Sequence, residues 1–280
     1  MICGKETIAS SQNKYVSLAR GLTNKKIREN EKKFRFDGIK LMCEAIKKGV
    51  NIEFLLVSES EMKSVFEKAE KLYGISESDI SYPVFAVTDS VFERLSEEMA
   101  PEGVISVARY LDSVRAESAE TELCMGSQYE KILLLESVRD PQNVGAIVRV
   151  ASAFGVDRVI MSRDCADVYN SKTIRASMGT VFATRIDRVN DISSCVKGLR
   201  ESGRRVFAAA LDRDAKKLGE IVIECGDCVM IGNEGHGLSH EAIEACDGTV
   251  FIPMAEQVES LNAATAAAVL VWEFFGKSGC

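Results

Sequence analysis

Five short apolar runs recur through the second half of the chain: KILLLE, RVIM, RVFAAAL, DCVMIG and TVFIPM. Each run has the usual length of a buried strand, and several of the segments between them carry apolar residues at helical spacing. Parallel strands need such long crossover connections, and helices then cover both faces of the sheet. The pattern therefore predicts an α/β domain with a parallel sheet over residues 129–280.

The first part of the chain also alternates between helical and strand patterns. Helices are predicted from Lys14 through a basic stretch, at GIKLMCEAIKKG and at SEMKSVFEKAEKLYG, and strands at EFLLVS, PVFAVT and GVISVARYL. A length of 280 residues allows two domains. We expect a smaller N-terminal α/β domain over residues 1–111, joined to the second domain by a polar linker, residues 112–128, without strand or helix.

Charge is unevenly distributed along a chain whose net charge is -7. Residues 12–48 carry eleven Lys or Arg against four acids, whereas residues 58–122 carry fifteen acids against six basic residues. A basic segment can attract RNA phosphates even on an acidic protein, because counterion release depends on the charges at the contact. A solvated helix face is the open alternative. The predicted RNA-binding residues here are Lys25, Lys26, Arg28, Lys32, Lys33 and Arg35.

Other features of the composition indicate a cytoplasmic protein. No apolar segment reaches the roughly 18 residues that a membrane span needs, and the first residues lack the apolar region of a secretory signal. The nine cysteines are odd in number and scattered, unlike a disulfide framework. We therefore expect most of them to be reduced thiols.

Two of the predicted strands end in unusually polar segments. RDPQNVGAIVR places Asn143 at a predicted helix N-cap, with Gly145 permitting close approach of a ligand and Arg149 just over one turn into the helix. MIGNEGHGLS surrounds Glu234 with three glycines, as expected of backbone wrapped around a ligand. A capped helix with a surface arginine and a flexible glycine-rich turn are the open alternatives.

Two further junctions carry donors. NSKTIRASMGTVF, residues 170–182, includes Arg175, which we add to the predicted RNA-binding residues. IPMAEQVESLNAATAAAV ends a strand and begins an apolar helix that Ser260 or Asn262 caps. Ligands of parallel sheets bind beyond the carboxyl ends of the strands. We therefore expect the four junctions to form one site.

RDPQNVGAIVRVASAFG, IGNEGHGL and IPMAEQVESLNAATAAAVLVWE resemble the three sequence motifs of the SpoU-type RNA ribose 2'-O-methyltransferases, members of the SPOUT superfamily. The resemblance extends over residues 132–275. In the first part of the chain, FRFDGIKLMCEAIKKG resembles the ribosomal-protein-like substrate-binding domain of the subgroup that modifies ribosomal RNA.

The resemblance implies a C-terminal domain with a trefoil knot, S-adenosylmethionine as the cofactor, and a homodimer formed through that domain. It also implies methylation of a ribose 2'-hydroxyl, most simply in 23S ribosomal RNA. Carried over to this sequence, the cofactor-binding residues are Leu211, Gly232, Ile252, Met254 and Leu261.

The same resemblance assigns catalysis to Asn143, Arg149, Glu234 and Asn262. A guanidinium is a poor base, so we expect Arg149 to hold the target phosphate and to stabilise negative charge on the attacking oxygen. Asn143 would orient Arg149 or the ribose, and Glu234 would fix the neighbouring loop or the arginine. Asn262 would be a supporting donor.

Three other interpretations stay open. The substrate could be transfer RNA instead, or the chain could be a catalytically silent RNA-binding protein with the same fold. Cys225 and Cys228, together with His236 and His240, suggest a zinc site, although their intervals are shorter than in a usual zinc finger. We predict no metal.

Overall fold

A computed structural model describes residues 6–115, 127–212, 214–255, 257 and 260–277, and it divides into two compact units. Unit 1 consists of Met1–Leu111 and Tyr169–Phe182, and unit 2 of Asp112–Val168 and Ala183–Cys280. Most of the linker predicted at residues 112–128 lies outside the described residues. The expectation that this segment contains no strand is wrong, because Val114–Arg115 is a short strand.

Unit 1 is an α/β unit built around a four-stranded sheet. Its strands are β1 (Lys33–Asp37), β2 (Ile52–Ser58), β3 (Val84–Val87) and β4 (Val104–Arg109). They lie in the order β1-β4-β2-β3, where β4 pairs antiparallel with both β1 and β2, while β2 and β3 are parallel. The helices of the unit are α1 (Lys14–Gly21), α2 (Lys25–Glu31), α3 (Ile39–Lys47), α4 (Met62–Tyr73), α5 (Asp89–Leu95) and α7 (Ser171–Ser177).

The segment Tyr169–Phe182 packs against β1 of the same unit. The ring centroid of Phe34 lies 4.9 Å from that of Tyr169, and the centroids of Phe36 and Phe182 are 5.0 Å apart. Gly179 has a φ of +87°, and an added Cβ there would meet Glu44 Cβ at 3.0 Å, so a larger residue would be strained. This segment, which lies within the second domain predicted from the sequence, is part of the first compact unit.

Unit 2 contains an eight-stranded sheet in which every described pair is parallel, which confirms the predicted parallel sheet. The strands are β5 (Val114–Arg115), β6 (Ile132–Leu135), β7 (Arg158–Ser162), β8 (Arg185–Val189), β9 (Val206–Ala209), β10 (Lys216–Lys217), β11 (Cys228–Ile231) and β12 (Gly248–Phe251). Their order in the sheet is β10-β12-β9-β11-β6-β7-β8-β5.

Helices cover this sheet. They are α6 (Pro141–Ala153), α8 (Ile192–Glu201), α9 (His240–Ala245) and α10 (Ala263–Val271), and a short π-helix, Trp272–Gly276, continues α10. Apolar residues of α8 and α9 share one core cluster with β6, β7, β9 and β11. α10 packs against α6, and it carries the buried Ala263 and Ala267. Small side chains allow two helix backbones to approach closely. None of the helices within the described ranges is both long and apolar enough to cross a membrane.

A charged strand that the sequence did not predict lies near one edge of this sheet. β8 has the sequence RIDRV, and its Asp187 is completely buried. The strand is possible because Arg185 Nε lies 3.3 Å and Arg158 Nε 3.7 Å from Asp187 Oδ2. Arg158, itself 1% exposed, also donates to Glu130 at 3.0 Å. Buried charges are tolerated when they are paired in this way.

The buried network predicts a large loss of stability for Arg158→Met. The substitution would remove the fully buried partner of Asp187, and breaking a buried pair costs about 3 kcal/mol of unfolding free energy. Arg139→Met is the matched control, since Arg139 is 69% exposed where it pairs with Asp164. We expect that control to cost less than about 1 kcal/mol. Urea denaturation measures both, and equal losses would contradict the role of the network.

Candidate active site

A cavity of about 410 Å³ opens at the carboxyl ends of β9, β11 and β12 in unit 2. Ala209, Ile231 and Phe251 end those three strands and line the cavity, and Ala263 and Ala266 contribute the start of α10. All five residues predicted to bind the cofactor line this one cavity: Leu211, Gly232, Ile252, Met254 and Leu261. Residues that are up to fifty positions apart in the sequence therefore line the same cavity.

The loop after β11 forms one wall of the cavity. Its ends are joined by two backbone hydrogen bonds of 3.0 Å between Asn233 and Gly237. Gly232 is needed for this closure, because an added Cβ would meet the carbonyl carbon of Gly237 at 2.4 Å. The loop places Glu234 on the cavity wall.

Three polar side chains from distant segments meet beside this wall. Asn143 Nδ2 donates to Glu234 Oε1 at 2.7 Å, and Asn262 Nδ2 donates to Asn143 Oδ1 at 2.9 Å. Asn143 is 7% exposed, so its amide is held between the other two side chains rather than by solvent. The structure thus brings together three of the four residues predicted to be catalytic.

Asn143 reaches this position from the first turn of α6, not from its cap. Asp140 is the N-cap, accepting from Gln142 N at 2.8 Å, and Pro141 takes the first helical position. Proline is favoured there because that position has no hydrogen bond to lose. The prediction that Asn143 caps the helix was therefore wrong, and its side chain is free to bind Glu234 and Asn262.

Asn262 has two functions in the fold. Its Oδ1 caps α10 by accepting from Ala264 N at 2.8 Å, and its Nδ2 holds Asn143. The sequence left open whether Ser260 or Asn262 caps this helix. Asn262 is the cap, whereas Ser260 lines the cavity.

Arg149 is not part of the polar cluster. It lies six residues after Asn143 on the same helix, which corresponds to a rotation of about 120° and a rise of about 9 Å. Its side chain is exposed. The amide of Asn143 bonds to Glu234 and Asn262. That Asn143 orients the ribose or Arg149 stays a prediction.

Sequence reasoning missed a second set of polar contacts next to the glutamate loop. Glu136, which is 8% exposed and directly follows β6, accepts from Ser239 N at 2.8 Å and from Ser239 Oγ at 2.7 Å. Asn233 Nδ2 donates to the carbonyl oxygen of Ser137 at 2.8 Å. The available signal was the position of these residues at the ends of neighbouring apolar runs.

Two of the predicted RNA-binding arginines support the fold of unit 1 instead. Arg28 donates to the carbonyl oxygens of Leu22 and Thr23 at 2.8 Å, and Arg35 donates to Asp37 at 2.9 Å. The residues are 3% and 2% exposed. Buried guanidinium groups that are bonded in this way cannot contact RNA, so their assignment was wrong.

The other predicted RNA-binding residues are more accessible. Lys25, Lys26 and Lys32 are exposed, whereas Lys33 pairs with Glu53 at 2.7 Å. Burial alone would raise the pKa of Glu53, but hydrogen bonds from Lys33 and Arg109 outweigh it and lower that pKa.

Arg175 lies on α7 in unit 1 and pairs with Glu98 of the same unit. Burial raises the pKa of the Glu98 carboxyl, although Arg175 opposes this shift. The junction that carries Arg175 belongs to unit 1 and the other three junctions belong to unit 2. That the four junctions form one site stays a prediction.

The zinc interpretation fails on its cysteines. Cys225 is disulfide-bonded and is therefore not available as a metal ligand, and burial raises the pKa of the Cys228 thiol to about 12. No group of three or more potential metal ligands occurs among the residues that the structure describes. Cys43, Cys165, Cys195, Cys228 and Cys246 are free thiols, as expected.

Comparisons with known proteins agree with the geometry. The SpoU rRNA methylase family matches residues 130–272, and the MRM3-like substrate-binding domain matches residues 13–106. The chain is 30% identical to 23S rRNA (guanosine(2553)-2'-O)-methyltransferase RlmP of Bacillus subtilis over 96% of this chain and 99% of the relative.

Solved structures extend this similarity to the whole fold. An AdoMet-bound rRNA methyltransferase from Sinorhizobium meliloti has a TM-score of 0.78 at 26% identity, with 96% of each chain covered. An RNA 2'-O ribose methyltransferase has a TM-score of 0.79 at 25% identity, covering 97% of this chain and 99% of the other. The family match covers half of the chain, and the relative matches nearly all of it. The chain belongs to the SpoU rRNA methylase family of RNA methyltransferases.

Proposed function

We propose that this protein transfers the methyl group of S-adenosylmethionine to a ribose 2'-hydroxyl of 23S ribosomal RNA. One observation carries the proposal: Glu234 lines the apolar cavity and at the same time accepts a hydrogen bond from Asn143, which Asn262 also holds. A ligand pocket and a fixed polar cluster therefore adjoin in a chain of the methylase family.

The cavity fits the cofactor by size and chemistry. Its volume of about 410 Å³ lies in the range of small-molecule pockets, about 300–1,000 Å³. Leu211, Ile252 and Leu261 supply apolar surface suited to the faces of a purine, and the Glu234 carboxylate favours a positively charged group. When bound, S-adenosylmethionine would supply a methyl group on a positively charged sulfur that is a good leaving group.

The residues of the chain would align the hydroxyl and stabilise its developing charge. A ribose hydroxyl is a weak nucleophile, so the barrier is lowered by holding it in line with the methyl group and by letting its proton leave to solvent as the bond to carbon forms. Asn143 is suited to this task because Glu234 and Asn262 fix its amide in one orientation. Exposed Arg149 would bind the phosphate of the target nucleotide and stabilise negative charge on the attacking oxygen.

Unit 1 would supply further contacts to the RNA substrate. Its match to a substrate-binding domain supports this role, as do the exposed amines of Lys25, Lys26 and Lys32. Lys33 and Arg175 can contribute only if they exchange their partners, Glu53 and Glu98, for phosphate.

Ribosomal RNA is favoured over transfer RNA by two matches that include the first part of the chain. The relative named for 23S rRNA aligns over 96% of this chain, and the substrate-binding domain covers residues 13–106. A catalytically silent RNA-binding protein is the less favoured alternative, since the chain retains Asn143, Arg149, Glu234 and Asn262. A ribosomal substrate also favours action in the cytoplasm.

We further propose a trefoil knot and a homodimer formed through unit 2. The sheet order supports the knot, since β11 lies between β9 and β6 and the cavity is built from the loops after β9, β11 and β12. Val269 and Trp272, 37% and 46% exposed at the end of the chain's apolar helix, support a second copy as the partner.

The proposed function predicts methyl transfer by the purified protein. With labelled S-adenosylmethionine and unmodified 23S rRNA, we expect one 2'-O-methyl group, mapped by its block to alkaline cleavage. Transfer RNA should accept none. Arg149→Ala should lower kcat by about 100-fold, the effect of losing a group that stabilises an oxyanion, and Arg149→Lys less. Binding of the methyl donor without transfer to either RNA would contradict the proposal.

Asn262 offers a test that separates stability from catalysis. Asn262→Asp keeps the oxygen that caps α10 but removes the donor to Asn143, whereas Asn262→Ala removes both. We expect both variants to lower the methyl transfer rate by about 10-fold, the effect of about 1.4 kcal/mol. The alanine variant should lose about 1 kcal/mol more unfolding free energy than the aspartate variant, because it alone loses the helix cap. A fully active aspartate variant would show that the contact with Asn143 is unimportant.

A further inference from the structure

Asn233 uses each of its polar groups to hold the loop that carries Glu234. Its backbone N–H and carbonyl pair with Gly237 at 3.0 Å. Its Oδ1 accepts from Gly235 N at 2.9 Å and from His236 N at 3.1 Å, and its Nδ2 donates to the carbonyl oxygen of Ser137 at 2.8 Å. The first contacts fix the shape of the loop, and only the last one ties it to another segment.

Ser137, at the other end of this tie, is itself held rigidly. It has a left-handed φ of 55°, which is uncommon for a residue other than glycine. Its N–H donates to Ser162 Oγ at 2.8 Å and its Oγ to Asp164 at 2.5 Å. Burial would raise the pKa of Asp164, but hydrogen bonds from Ser137, Ser162 and Arg139 outweigh it and lower that pKa. Ser137 is therefore a fixed point at the carboxyl end of β6.

Two paths of covalent and hydrogen bonds lead from Ser137 to the polar cluster. One path follows the chain from Ser137 into α6 and ends at Asn143. The other crosses the hydrogen bond to Asn233 and ends at the next residue, Glu234. The hydrogen bond from Asn143 to Glu234 closes the ring. The glycine at position 235 gives the loop little stiffness of its own.

We propose that Asn233 is a positioning residue, whose amide tie to Ser137 sets the direction in which Glu234 faces Asn143. This inference rests on the proposed methyl transfer. Asn233 would not need to touch the RNA, because its effect passes through Glu234. Displacement of a catalytic cluster by about 1 Å can lower the rate by about 100-fold.

Asn233→Asp tests the tie selectively. The aspartate keeps an oxygen for Gly235 N and His236 N, but it places a second oxygen against the Ser137 carbonyl instead of a donor. We expect the single-turnover rate of methyl transfer to fall by about 30- to 100-fold at saturating methyl donor. The KM for 23S rRNA should change by less than about threefold, because uniform substrate binding is untouched. Asn233→Ser, too short to reach Ser137, is the second variant if the first fails to fold.

A double-mutant cycle with Glu234→Ala identifies the route of the effect. If Asn233 acts through Glu234, Asn233→Asp should change the rate by less than about threefold in the Glu234→Ala background. Asp191→Ala is the control for a general loss of stability, since Asp191 Oδ1 also accepts from two successive amides, Ser193 N and Ser194 N, as the N-cap of α8. That control should keep the full rate.

The outcomes separate this inference from the proposed function. Absence of methyl transfer by the unaltered protein would reject the proposed function itself. Full activity of Asn233→Asp in a protein that does transfer methyl groups would overturn the positioning role alone. Equal losses from Asn233→Asp with and without the Glu234→Ala substitution would also overturn it, because Asn233 would then act by another route.

Discussion

Parallel pairing of β11 with β6 is the constraint on which the candidate active site depends. The pairing aligns Val229 with Leu133 and Ile231 with Leu135, so the two strands end side by side. Two loops almost a hundred positions apart then leave the sheet at neighbouring points, as the Asn233–Ser137 hydrogen bond shows. Without this register, Asn143 Nδ2 could not lie 2.7 Å from Glu234 Oε1. The chemistry is therefore a consequence of strand order rather than of any single motif.

Exposed loop residues form one side of the site, and buried, hydrogen-bonded side chains form the other. Loop residues line part of the cavity, including Leu211, which is 73% exposed. The polar cluster is instead held by side chains that are buried or already bonded, and Asn143 has no freedom to rotate without losing two hydrogen bonds. Such preorganisation is what catalysis by alignment requires, since the cost of ordering the groups is met during folding. Arg149 remains outside the cluster, exposed and available to phosphate.

The sequence was informative wherever burial determines the pattern, and uninformative wherever polar groups find distant partners. The apolar runs predicted β6, β7, β9, β11 and β12, and the motifs predicted which residues would line the cavity. The sequence does not predict β8, because it does not show that Arg158, on the neighbouring strand β7, pairs with the buried Asp187. Arg28 was assigned to RNA because its charge is visible in the sequence, while the carbonyl oxygens that bury it are not. The position of Asn143 after an apolar run predicts a cap, whereas Pro141 indicates a helix that begins earlier.

In the proposed function, one cavity and one polar cluster act together on a methyl donor and an RNA ribose. A crystal structure of the protein with S-adenosylhomocysteine tests it most directly. We expect the ligand to occupy the cavity bounded by Gly232, Ile252 and Leu261, and the hydrogen bonds that join Asn143 to Glu234 and Asn262 to persist. A ligand bound elsewhere in unit 2, or an Asn143 side chain turned away from both partners in the complex, would contradict it.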